Sequence, residues 1–228
     1  MGRAWVAAPL MGGLLAAACG GAGASAPPVA PDEAAREMDR TAEANRLERP
    51  TQLFFRWSAQ EPDFRGSGDG VARLLPPDRA RLDLFLDNGE QVAEAVLLGD
   101  ELEIPPWVEV GMIPPPPLLW ASLGVFRPGA GAALEEVRGL SEVEADYRLP
   151  DGDLIRFRVE GRRLLGVSVH REGDRIRTLE VSEPERGSRF PASAAYRDVP
   201  DFRELRVELS SVEYVDGFPS DIWGVSGR

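Results

Sequence analysis

Residues 64–106 constrain the fold more than any other stretch of the chain. Arg81-Leu82-Asp83-Leu84-Phe85-Leu86-Asp87 alternates, with Leu82, Leu84 and Leu86 on one face. Side chains of a strand point alternately to its two faces, so the pattern predicts a half-buried strand. Asn88-Gly89 follows. It is the strongest short hairpin signal, because a type I′ turn needs positive φ at both central residues. Residues 91–98 are the return strand, and Gly99-Asp100 turns the chain into residues 101–104.

Upstream, residues 51–58 predict a first strand, with Leu53, Phe55 and Trp57 on one face and Phe54 and Arg56 on the other. Gly66-Ser67-Gly68-Asp69-Gly70 leads into a strand ending near Leu75. A phosphate-cradling glycine loop opens into a helix N-terminus. Here Val71-Ala72-Arg73-Leu74 and then Pro76-Pro77 follow, so the glycines are read as permitting strand curvature. Phe55, Trp57, Leu82, Leu84, Leu86 and Val96 are the predicted apolar groove.

Downstream the character changes. Four prolines, 114–117, predict an extended polyproline segment. A short helix is expected over 118–123, with Gly124 as its stop. Leu118, Leu119, Trp120 and Leu123 make it apolar on most faces, so it must be covered. It is either a plug in a concave sheet or an ordinary core helix. Turns containing Gly152, Gly161 and Gly173 then separate predicted strands over 143–149, 154–159, 164–170 and 175–181, an all-β spacing. Strands over 190–198 and 205–215 close the domain. Leu205, Val207 and Leu209 alternate and then the phase jumps to Val212, which predicts a bulge at Ser210-Ser211. The apolar segment 218–223 is expected to cover an edge.

Residues 32–48 are the one long helix candidate, with Pro31 suited to a first turn and Asp32 and Glu33 to the positive helix end. Its apolar stripe, Ala34, Ala35, Met38, Ala42 and Leu47, is thin and predicts packing at a rim. Ahead of it, residues 4–18 are apolar or small after the single charge of Arg3. That length suits a signal-peptide core better than a membrane span. The stretch ends Leu15-Ala16-Ala17-Ala18-Cys19-Gly20, and Cys19 is the only cysteine. It resembles the lipobox of bacterial lipoproteins, whose cysteine is acylated after cleavage. The usual leucine position holds Ala16, with Leu15 one place further out. An ordinary secretory signal leaving a free thiol is the alternative. Gly20, in place of an Asp that would retain a lipoprotein in the inner membrane of a diderm bacterium, points to the outer membrane. Small residues and prolines up to Pro31 read as a flexible tether. The expected organisation is therefore a signal peptide (1–18), a lipidated cysteine with tether (19–31) and one domain (32–228).

The net charge of −12, with no lysine in the chain, gives no basic patch for nucleic acid. His170 is the only histidine; with no orienting partner in the sequence it is not read as part of a triad, and alone it makes no histidine-rich metal site. Acidic residues are abundant, but no spacing singles out a carboxylate pair, and no enzyme activity, metal or cofactor is expected.

These elements make a mainly β (α+β) domain of about ten antiparallel strands with an N-terminal helix and a short apolar helical lid. The order resembles the LolA/LolB-like superfamily of periplasmic lipoprotein carriers, above all in residues 70–104: strand, Pro77-Asp78-Arg79-Ala80-Arg81-Leu82-Asp83, Asn-Gly hairpin, and a strand closing on Gly99-Asp100. The resemblance implies an open, curved half-barrel whose concave face is covered by helices. It implies a function in binding an acyl chain, lipid or lipoprotein, and brings no catalytic residue. The chain is then expected to be a monomer held to the periplasmic face of the outer membrane by its acylated (palmitate-type) Cys19. The alternative is a structural or assembly lipoprotein whose barrel is filled by the insert.

Overall fold

The computed structural model describes residues 28–108 and 110–225. The signal peptide, Cys19 and the tether as far as residue 27 lie outside the described residues. The first meander comprises β1 (Thr51–Gln60), β2 (Arg65–Leu75), β3 (Arg79–Leu86), β4 (Gln91–Leu98) and β5 (Glu101–Glu103). The second comprises β6 (Ala133–Gly139), β7 (Glu142–Arg148), β8 (Leu154–Glu160), β9 (Arg163–Arg171), β10 (Asp174–Val181), β11 (Ser193–Asp198) and β12 (Arg203–Tyr214). All twelve form one open antiparallel sheet in the order β5-β4-β3-β2-β1-β12-β11-β10-β9-β8-β7-β6. The meanders join where β1 pairs with β12, which leaves β5 and β6 as opposite edges.

Twelve strands replace the expected ten or so. β6 is the one the sequence hides. Glu135-Glu136 breaks its alternation because Glu135 is an extra residue between the pairs Leu134–Tyr147 and Glu136–Asp146. Similar register shifts occur in β1–β12, β3–β4, β8–β9 and β9–β10. The β1–β12 shift skips Ser210, as the phase jump predicts. Each bulge bends its strand and adds twist, so a sheet with this many cannot be flat.

The turns correct one reading. Gly89 has φ of +86°, but Asn88 is not among the positive-φ residues, so the hairpin does not close as type I′. The Gly89 N–H donates to the Leu86 carbonyl at 2.8 Å, giving a three-residue loop of 87–89. Positive φ at both central residues occurs instead at Gly161-Arg162 and Glu172-Gly173.

Helix α1 spans Pro31–Ala44 with proline in its first turn. It ends earlier than residue 48, because the Asn45 side chain donates to the Thr41 and Arg162 carbonyls at 2.7 and 2.6 Å. It packs against β6 through Ala34 and Met38. Ala35 is exposed, and Leu47 is buried from outside the helix. The predicted tether also reaches the sheet sooner than expected. Pro28 bridges Arg138, and the Val29 N–H donates to the Val137 carbonyl at 2.8 Å.

Strand register separates two faces. Inward positions are apolar and form one core with both helices. Outward positions carry arginines and carboxylates. Asp83 accepts from Arg73, Arg81 and Gln91, and Asp146 accepts from Arg138 and Arg156. The C-terminal segment does not cover an edge. Its Ser220–Trp223 turn lies on the outer face of β3, where the Arg81 guanidinium donates to the Ile222 and Gly224 carbonyls at 2.9 and 3.3 Å.

Candidate functional site

On the inner face, Phe55 of β1 opposes Gly70 of β2, and Trp57 opposes Gly68. A Cβ on Gly70 would sit 2.2 Å from the Phe55 ring, and one on Gly68 1.9 Å from the Phe85 carbonyl oxygen. The glycine run thus lets two large rings lie across β2. Trp57 Nε1 reaches over to donate to the Asp69 and Phe85 carbonyls, both at 3.0 Å. These glycines serve close packing of aromatic rings on the strand as well as its curvature.

The segment joining the two edges is a strap. β5 ends at Glu103 and β6 starts at Ala133, eleven strand spacings apart. Residues 104–132 must therefore cross the inner face. Helix α2 (Pro116–Ser122) is the centre of the strap and packs on β9, β10 and β11. Pro116 and Pro117 form its first turn, where a missing N–H costs nothing, so only Pro114 and Pro115 remain of the expected polyproline segment. The helix ends as predicted at Gly124, with φ of +73°. The Gly124 N–H donates to the Ala121 carbonyl at 3.0 Å and the Val125 N–H to the Trp120 carbonyl at 2.9 Å. Those two bonds are a Schellman motif.

Polar contacts fasten the strap at the β4–β5 turn. Trp120 Nε1 donates to the Gly99 carbonyl at 2.7 Å. Arg127 holds Asp100 through Nε at 2.9 Å and Nη2 at 3.3 Å, and reaches Asp78 at 3.5 Å. The Asp100 hydrogen bonds raise the Arg127 pKa above its ordinary value against the cost of burial.

Between α2 and the sheet lies a narrow apolar cleft of about 50 Å³. By the same measure a single water needs roughly 10–15 Å³, so the space suits a few waters and not an acyl chain. Leu53, Phe55, Leu82 and Leu84 line one side and Leu179, Tyr196, Leu205 and Val207 the other, with Leu119 and Leu123 of the strap above. β3 and β10 are five spacings apart in the sheet, about 24 Å if it were flat. That residues of both meet at one cleft of this size measures how sharply the sheet curls.

The predicted groove is thus placed in part. Phe55, Leu82 and Leu84 line the cleft. Trp57 and Leu86 share the inner face but lie outside it. Val96 is a correction: it pairs with Arg81 and faces outward, fully buried on the side that carries the C-terminal turn. β4 points Ala93, Ala95 and Leu97 inward instead, because Val92 is skipped in the β3–β4 register. Of the lid residues, Leu119 and Leu123 face the cleft, whereas Leu118 and Trp120 are buried in the surrounding core.

The sequence reading missed Arg189, Phe190 and Pro191. They lie in the link between β10 and β11: the strand expected from residue 190 begins only at Ser193, so Phe190 belongs to the link and not to the strand. Phe190 and Pro191 line the cleft. The Arg189 Nη1 donates to the Arg46 carbonyl at 2.5 Å, and Nη2 reaches the Gly124 carbonyl at 3.5 Å. A second missed feature is polar. Tyr196 donates to Asp198 at 3.3 Å, and Arg177 holds the same carboxylate at 2.7 Å. Burial pushes the Tyr196 phenol pKa upward, with Asp198 adding to the shift.

No protein-family model and no curated protein matches the sequence significantly. Solved structures do match the fold. A LolA superfamily protein from Nitrosomonas europaea aligns at a TM-score of 0.51 and 12% identity, over 84% of this chain and 97% of that one. A DUF1329 family protein from Desulfovibrio piger aligns at 0.49 and 8%, over 84% and 95%. A putative outer membrane lipoprotein-sorting protein domain from Vibrio parahaemolyticus aligns at 0.45 and 10%, over 84% and 94%. The resemblance read from the strand and hairpin order is met in three dimensions: the fold is like that of the LolA superfamily protein.

Proposed function

We propose that the protein is a non-enzymatic, monomeric lipoprotein of the bacterial cell envelope, anchored to the outer membrane through Cys19. Its open sheet receives an acyl chain of a lipid or lipoprotein on the inner face. One observation carries the reading: a cleft lined almost wholly by apolar side chains runs between the sheet and a strap that packs on it through apolar side chains and is pinned by a few polar contacts. Each methylene removed from water contributes about 0.8 kcal/mol. A long acyl chain can therefore compensate for the packing that α2 gives up when it lifts. The strap and the ligand compete for the same surface, and the ligand shifts the population toward the lifted form.

The small volume of the cleft supports a second reading, a structural lipoprotein whose sheet is filled by α2. Binding separates the two. The full chain carrying Cys19→Ser should bind a fluorescent fatty-acid probe at micromolar concentration. Leu119→Ala with Trp120→Ala should tighten that binding, at some cost in stability. A probe that never binds, with a double variant that merely unfolds, would favour the filled sheet.

A further inference from the structure

We propose that Arg189 is the polar end of the cleft and takes the anionic head of a single-chain amphiphile, a carboxylate or a phosphate. The inference rests on the acyl-site reading above and narrows its substrate class. Arg189 directly precedes Phe190 and Pro191 on one wall, and Gly124 directly follows Ser122 and Leu123 on the other; all four wall residues line the cleft. The guanidinium donates to the Arg46 and Gly124 carbonyls, with Cζ 5.2 Å from the centre of the Phe190 ring.

Other half-buried arginines differ from it in their partners. Arg81, Arg127, Arg138, Arg156 and Arg177 each lie within salt-bridge distance of an Asp or Glu. Among the described residues, Arg189 has no carboxylate within 4.0 Å. Glu48 acts on it only at longer range, and burial lowers its pKa. A desolvated cation without a counter-ion is costly. Two carbonyls occupy at most two of the five N–H donors of a guanidinium. The remainder suit bidentate pairing with a planar carboxylate or a phosphate. An acyl chain along Phe55, Leu82 and Leu84 would bring such a head group to the rim. The ester- and amide-linked chains of a lipoprotein offer no anion there, so a free fatty acid or a lysophospholipid fits this end better.

The test uses the full chain with Cys19→Ser and three probes: a fluorescent fatty acid, its methyl ester, and lysophosphatidylglycerol as competitor. The acid should bind about tenfold tighter than the ester, the scale of a charge-assisted hydrogen bond. Arg189→Gln should bring the two together while leaving the ester unchanged, and Arg189→Lys should keep part of the preference. Stronger competition by lysophosphatidylglycerol than by unlabelled fatty acid would assign the phosphate, and the reverse the carboxylate. If Arg189→Gln does not fold, the acid-to-ester ratio of the unsubstituted site decides. Equal binding of acid and ester overturns the role of Arg189 and leaves the acyl site standing. No binding of any probe overturns both.

Discussion

The two faces of the sheet use the same alternation for opposite ends. On β3, Leu82 and Leu84 turn inward to the core, and Arg81 and Asp83 turn outward. Each set has a buried member: Leu84 is 0% exposed and Asp83 3%. The inner face is held by area removed from water, which is non-directional. The outer face is held by oriented ionic hydrogen bonds, which fail when one partner is lost. An inner face of this kind can exchange one apolar occupant for another. The outer face cannot, so under the proposed function it is the rigid frame for that exchange.

The largest effect should come from putting outer-face chemistry inside. Leu84→Asp removes a side chain worth on the order of 2 kcal/mol. It also buries a carboxylate with no partner, at several kcal/mol more. The sum is comparable to the stability of a whole domain. Thermal unfolding followed by circular dichroism should show no cooperative transition. A variant melting with the parent would mean that the inner face is open to water, and the contrast between the faces would collapse.

Much of this architecture is legible in the sequence because alternation and glycine turns are local signals. Leu82, Leu84 and Leu86, the Ser210 bulge and the Gly124 stop all follow from neighbours a few residues away. What is hidden depends on register or on distant chain. Val96 looks inward until the skipped Val92 is known. β6 looks broken until Glu135 is seen to stand outside the pairing. That the lid is a strap follows from β5 and β6 being opposite edges, which no local window contains. Arg189 escapes for the same reason, since its partners, Arg46 and Gly124, are far away in sequence.

A smaller effect should come from removing one outer charge. Asp83→Asn leaves Arg73 and Arg81 with an uncharged acceptor at a site 3% exposed. The expected loss is about 3 kcal/mol, the scale of a broken buried ion pair. Denaturant titration with an unchanged m-value would measure it. The control is Asp69→Asn, whose bond to Arg56 lies in solvent with both side chains about half exposed or more. That change should leave stability unaltered. Equal losses for the two would show that burial does not set the strength of the outer network.

The smallest effect concerns His170, on the outer face of β9 between Leu154 and Arg175. Its Nε2 lies 2.9 Å from Ser168 Oγ. Burial, then the cation of Arg156, pushes the imidazole pKa below its ordinary 6.5, with Asp146 opposing. The folded pKa is therefore the lower one, and as pH falls the unfolded chain takes up the proton first. Protonation then favours unfolding from about pH 6.5 downward. Above that pH both states carry a neutral ring and His170 contributes no pH dependence. His170→Asn keeps a polar side chain without the titration. The melting temperature of this variant should fall less between pH 7 and pH 5 than that of the parent. Carboxylates titrating over the same range act on both proteins and cancel in the difference. Parallel curves would mean that the ring is hydrated as in the unfolded chain and that the outer network does not reach it. A variant that loses more than the parent on acidification would reverse the sign and place a stabilising anion beside the ring.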